Sequence, residues 1–203
     1  MVHTLLKHSR LIFLCGLSFA LIAFLVSLIL PKYWSAESQV LLISKGYGGV
    51  DPYTQAKAAE QIGGNLAQVI GTSDFYNKVI ESQTMSFDRE RWAVMSERNR
   101  RKNWTRDVQA EVVYGTGLLR LTVYSQSKDD TIALSKAVTD TLASRGWEYV
   151  GGDVGMKVVN NPLLSRLPAR PNFIVNTILG FVLGVLLSAW WVAKNRHGVF
   201  GRI

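Results

Sequence analysis

Two long, uncharged apolar blocks, one near each end of the chain, limit what it can fold into more than any other feature. The first is LIFLCGLSFALIAFLVSLIL, residues 11–30, and the second is FIVNTILGFVLGVLLSAWWVA, residues 173–193. A helix rises about 1.5 Å per residue, so each block spans about 30 Å, the thickness of a bilayer's hydrocarbon core. The first exceeds the roughly 7–15 apolar residues of a signal peptide, and no clear A-x-A cleavage site follows it. A buried core helix rarely runs as far as the second without a charge. Trp190 and Trp191 lie near the end of that block, where amphipathic rings favour the headgroup level. Two transmembrane helices are therefore expected.

Charge sets their orientation. All 15 acidic residues fall between the blocks, in residues 31–172. Of the 23 Lys and Arg, five lie in the tails (Lys7, Arg10, Lys194, Arg196 and Arg202), leaving 18 in the loop. Purely basic tails follow the positive-inside pattern, with both ends cytoplasmic. The expected order is cytoplasmic tail 1–10, helix 11–30, extracytoplasmic domain 31–172, helix 173–193 and cytoplasmic tail 194–203. The formal charge of +8 is then partly a topology signal, and it gives no support to nucleic-acid binding. The single cysteine, Cys15, lies inside the first block. The loop must fold on its core, without an intrachain disulfide, and about 140 residues suffice for that.

Within the loop, Ala36–Ser44 alternates as a strand, with Ala36, Val40 and Leu42 on one face. Gly46–Gly49 breaks it. Asp51 followed by Pro52 reads as an N-cap and first helical position, opening a helix to Ile70. Ser73 or Asp74 caps a short helix carrying Phe75, Val79 and Ile80. Residues 88–103 read as a charged helix with Trp92 and Met95 on one side. Two alternating runs, 108–114 and 118–124, are joined by Gly115-Thr116-Gly117, which is hairpin chemistry. Ser127 and Asp130 have capping-box spacing. They open a helix with Leu134, Ala137, Val138, Thr141 and Leu142 on one face, closed by Gly146. A last short strand covers Met156–Asn160. The fold class is α+β, with a β-α-β-β-α-β domain of the ferredoxin-like kind between the membrane helices. There the first and last strands are antiparallel neighbours, which suits a domain that leaves and re-enters a membrane.

Catalytic chemistry is scarce. His3, His8 and His197 all lie in the tails, so the loop holds no Ser-His-Asp, Cys-His or ordinary zinc set. No G-x-x-x-x-G-K-[ST] phosphate loop is present. Neither a cofactor nor a metal is expected, and an extracytoplasmic hydrolase lacks an acid-base pair. One basic cluster stands out: Arg89, Arg91, Arg98, Arg100, Arg101, Lys102 and Arg106, with Trp92 and Trp104 interleaved. Arg98, Arg100, Arg101 and Arg106 are candidates for contact with an anionic polymer or partner. Against this stands a solvated helix face, balanced by Asp88, Glu90, Glu97 and Asp107. In the second block Gly180 and Gly184 form G-x-x-x-G, which lets helices approach closely, and Asn176 is placed to hydrogen-bond a neighbouring helix.

These features resemble a known family. The two terminal membrane helices, the strand directly after the first, the segment DPYTQAKAAEQIGGNLAQVIGTSDFYNKVI and the proline-rich approach NPLLSRLPARP (Pro162, Pro168, Pro171) look like the Wzz-type chain-length determinants. The resemblance covers residues 10–193 and is to compact members of these polysaccharide co-polymerases. It implies a non-enzymatic protein of the bacterial inner membrane. Members assemble into homo-oligomeric rings that set how long a lipid-linked polysaccharide grows. Partners are a polymerase, the growing polysaccharide or, for some members, a cytoplasmic tyrosine kinase. The tail KNRHGVFGRI is shorter than the segment expected to contact a kinase. A scaffold for O-antigen, capsule or exopolysaccharide is therefore the leading expectation, and a kinase adaptor the alternative.

Overall fold

The computed structural model describes residues 8–44, 51–82, 87–150 and 154–194. The chain divides into two compact units: residues 1–32 with 170–203, and Tyr33–Ala169. The expected turn at Gly46–Gly49 lies outside the described residues.

The first unit is a helix pair. Helix α1 spans Ser9–Ile29, and the last helix, numbered α8 in chain order, spans Phe173–Lys194. Both are long and apolar enough to cross a membrane. Their outer faces expose leucine, valine, isoleucine and phenylalanine, while Gly16, Ala20 and Ser27 of α1 and Gly180, Gly184 and Ser188 of α8 are buried. These small residues form one seam. A Cβ at Gly180 would lie 2.6 Å from Ala23 Cβ and 2.9 Å from Phe19 O. One at Gly184 would lie 2.7 Å from Phe19 Cβ and 3.0 Å from Cys15 O. Only glycine permits this approach, which brings the two backbones into van der Waals contact. Asn176 Nδ2 donates to Ser27 Oγ across the seam at 2.9 Å. Phe13 meets Phe181 edge-on at 5.7 Å, and Phe24 lies 6.3 Å from Phe173. The contacts run in opposite chain order, so the helices are antiparallel.

The second unit is α+β. Strands β1 (Trp34–Ser44), β2 (Val108–Val112), β3 (Leu118–Ser125) and β4 (Val154–Leu164) form one sheet in the order β2-β3-β1-β4. Every neighbouring pair is antiparallel. The alternation expected of β1 is observed, and Ala36, Ser38, Val40 and Leu42 are all buried. Gly115 takes φ +71° in the β2–β3 turn, a conformation that costs glycine little. Strand β4 is longer than the expected Met156–Asn160 and runs through Pro162. It lies at the sheet edge, where a missing N–H breaks no ladder. Two register shifts opposite Glu37–Val40 accommodate its extra residues.

Helix α2 (Pro52–Ile70) starts as read, with Asp51 accepting from the Thr54 N–H. Helix α3 (Ser73–Glu81) is capped by Thr72, whose hydroxyl accepts from the Phe75 N–H. The cap therefore precedes the expected Ser73 or Asp74. The single charged helix expected over 88–103 is two helices, α4 (Glu90–Ala93) and α5 (Glu97–Asp107). Ser96, at ψ 150°, separates them. Helix α6 (Lys128–Arg145) buries Leu134, Ala137, Val138, Thr141 and Leu142, as its periodicity predicts. Ser127 is its N-cap residue but makes no side-chain cap bond. Asp130 accepts instead from the Asp88 N–H at 2.8 Å and the Ser125 hydroxyl at 2.5 Å. The short α7 (Trp147–Val150) is tied to α3. Lys78 Nζ lies 2.5 Å from Glu148, and the Tyr149 hydroxyl donates to Asp74. The bond to Glu148 is the chief reason that the Lys78 pKa is raised.

The helices pack on the β1 face that carries Val40 and Leu42, where Leu119, Leu121 and Val123 of β3 are also buried. At one side of this core, Tyr76, Trp92 and Trp104 lie ring to ring at 5.1–5.9 Å. Trp104 is 1% exposed and donates its indole N–H to Ile70 O at 2.7 Å. It thereby fastens α5 to the end of α2.

Two outcomes are expected. Trp104→Phe removes the indole bond and leaves a buried carbonyl unpaired, so unit stability should fall by about 2–4 kcal/mol, read by thermal melting of the near-ultraviolet signal. Gly184→Leu should force α1 and α8 apart. A short thiol cross-linker joining Ser27→Cys to Asn176→Cys should then lose most of its yield, and an undiminished yield would count against the seam.

Candidate functional site

Three groups of residues bear on function: the helix seam, the proline-rich approach and the basic segment. In the seam, Gly180, Gly184 and Asn176 all contact α1 of the same chain. The close approach that their spacing predicts is therefore made within one molecule. Gly16, Ala20, Ser27 and Ser188 complete it, and sequence reasoning missed them. Their four-residue spacing in α8 (Gly180, Gly184, Ser188) was the available signal.

The three prolines do not form one element. Pro162 lies inside β4. Pro168 lies in the irregular segment that follows, and Pro171 follows a cis peptide bond from Arg170. Two backbone bonds hold this segment against β1. Ser165 N–H donates to Ser35 O at 2.8 Å, and Ala169 N–H donates to Tyr33 O at 2.8 Å.

The basic segment separates into internal and external parts. Trp92 and Trp104 are core residues, so neither presents a surface ring among the arginines. Asp107 is fully buried at the end of α5. It accepts from Arg91 Nη2 at 3.1 Å and Arg106 Nε at 2.9 Å. A buried carboxylate must be neutralised in this way. The hydrogen bond to Asp107 raises the pKa of the Arg106 guanidinium. Arg100 donates to Met95 O at 3.1 Å and lies 5.4 Å from the Tyr76 ring centroid, bracing the α4–α5 break. Arg101 bonds Glu97 at 3.0 Å and Ser73 Oγ at 3.0 Å. Arg98 and Lys102 are exposed beside one another on α5, lining a shallow depression with Glu97, Arg101 and Thr105. Of the four arginines singled out from sequence, Arg98 alone lies wholly on the outer face without a side-chain bond. Among the described residues no group of three His, Cys, Asp or Glu could hold a metal ion.

The arrangement thus offers a tightly packed apolar helix pair and surface charge. No curated protein matches the chain significantly. A family model does match, and it covers residues 1–92. That span includes the first apolar helix, β1, α2, α3 and the start of α4, and the model is described as Wzz, chain length determinant protein. Residues 1–92 thus match the model of the family that the sequence resembles.

Proposed function

We propose that this protein is a non-enzymatic, oligomeric scaffold of the bacterial inner membrane that regulates the chain length of an envelope polysaccharide. The match of residues 1–92 to the chain length determinant model carries this reading. The helix pair supports it. Antiparallel helices of membrane length put His8 and Lys194 at the same end of the pair, and basic tails favour the cytoplasmic side. The sheet order supports a ferredoxin-like fold for the second unit. Its partners are further copies of itself and the growing lipid-linked polysaccharide or its polymerase. Gly180 and Gly184 are occupied within the chain, so copies meet through the lipid-facing sides of the helices or through the second unit. The polymer is an O-antigen, capsule or exopolysaccharide.

The test is a deletion strain. Its surface polysaccharide, run on a gel, should lose its modal length, and the native gene should restore it. A profile identical with and without the gene would refute the reading. Arg98→Gln with Lys102→Gln tests whether the outward-facing charges meet the polymer. The fold should be unaffected, because exposed charges contribute about 0–1 kcal/mol each. A shifted length profile at normal membrane level is expected, and an unchanged one would reduce these residues to solvation of a helix face. Arg106→Gln should behave differently. It removes one of two cations from buried Asp107 and should destabilise the second unit by about 1–2 kcal/mol, discounted for the partial exposure of Arg106.

A further inference from the structure

We infer that the end of the second unit bearing Tyr33, Trp34 and Leu167 docks on the membrane surface and binds anionic phospholipid headgroups. The inference rests on the reading that α1 and α8 cross the membrane. Tyr33 lies four residues after Ile29, and Ala169 lies four residues before Phe173. A chain extends at most about 3.6 Å per residue, so both positions lie within roughly 14 Å of an apolar helix end. They are also bonded to each other, Ala169 N–H to Tyr33 O at 2.8 Å. Both chain connections to the apolar helices therefore leave the second unit at this end.

Its composition fits that layer. Lys128 Nζ stands 4.1 Å from the Trp34 ring centroid, and the Arg106 guanidinium 5.7 Å from that of Tyr33. Both aromatics are half-buried and both cations are exposed. Rings that hold a cation at their face are amphipathic in the sense the interface favours. Leu167 is 76% exposed, in the segment held to β1 by the Ser165 and Ala169 bonds, with exposed Arg166 beside it. A fixed leucine projecting from a polar domain has no partner in water. Flanked by Arg166, it suits the acyl boundary, with the cation among phosphates.

The acids at this end do not reverse the field. Asp107 is neutralised by Arg91 and Arg106, which together leave one positive charge over, whereas Asp130, bonded to the neutral Ser125 hydroxyl and Asp88 N–H, keeps its charge and offsets it. Asp129 is exposed beside Lys128 and offsets one charge. What remains is a basic-aromatic rim around an apolar tip, which is complementary to an anionic bilayer. Each cation near such a surface strengthens attachment by roughly fivefold.

The experiment uses the full chain with Cys15→Ala, in nanodiscs of phosphatidylcholine with or without one-third phosphatidylglycerol. Nitroxide labels are placed singly at Leu167→Cys, at Leu21→Cys in α1 and at Tyr114→Cys, which is 86% exposed near the β2–β3 turn. Collision rates with oxygen and with a water-soluble nickel chelate give depth. The Leu167 label should be sheltered from nickel in the anionic discs, and the Tyr114 label should remain open to it. Removing phosphatidylglycerol, or adding Lys128→Gln with Arg166→Gln, should shift the Leu167 label towards water, by roughly fivefold in docked population for each charge lost. A deeply immersed Leu21 label with a Leu167 label as open as that at Tyr114 would overturn the docking alone. Immersion of Leu167 that ignores lipid charge and both variants would overturn the choice of anionic lipid. A Leu21 label open to nickel would overturn the membrane reading, and the docking with it.

Discussion

The ladder between β1 and β4 ties the first strand of the chain to its last, and most of the second unit follows from it. Strand β1 is central, paired with β3 on one side and β4 on the other. Its buried face of Ala36, Ser38, Val40 and Leu42 is the floor on which α2 and α6 pack. One polar pair is built into that floor. The Ser38 and Thr139 hydroxyls lie 2.7 Å apart, both buried, and Thr139 also donates to Ser135 O. Buried hydroxyls need such partners, so this pair fixes where along β1 the helix α6 settles.

Charge in this protein is largely consumed by architecture. Asp107 takes two arginines, Asp130 takes a hydroxyl and a backbone N–H, and Lys78 joins α3 to α7. Arg100 braces the α4–α5 junction, and Arg101 ties α5 to Ser73 of α3. A cluster that looks like a binding surface in one dimension is, in three, mostly the mortar of a small helical corner. Among the charged residues of α5, only Arg98 and Lys102 face outward without a side-chain bond.

The residues that could be read from sequence are those whose signal is local and periodic. The apolar helices, the β1 alternation, the hairpin at Gly115 and the α6 face each repeat over several turns or strand positions. What could not be read depends on distant neighbours. Ser96 ends a charged helical pattern because Trp92 and Trp104 both turn inward to Tyr76. Strand β4 continues through Pro162 because that strand happens to be at an edge. The capping-box spacing of Ser127 and Asp130 is overridden by Asp88, 42 residues earlier than its partner. The Gly180–Gly184 pair was visible, but not that α1 would supply Gly16, Ala20 and Ser27 to meet it. The arginines were legible as charge, whereas the burial of Asp107 that claims two of them was not.

The helix seam also imposes a schedule. Residues 30–172 separate the two halves of the pair. At roughly 5–20 residues per second, the ribosome takes about seven to thirty seconds to travel from one half to the other. For that interval α1 is a lone helix, its stripe of Gly16, Ala20, Ala23 and Ser27 uncovered. Strand β1 waits as well, since β4 is the last strand made. The same late segment, from Val154 to Lys194, completes both units. That segment therefore closes, almost together, a sheet and a helix pair whose first members, β1 and α1, are made more than a hundred residues earlier.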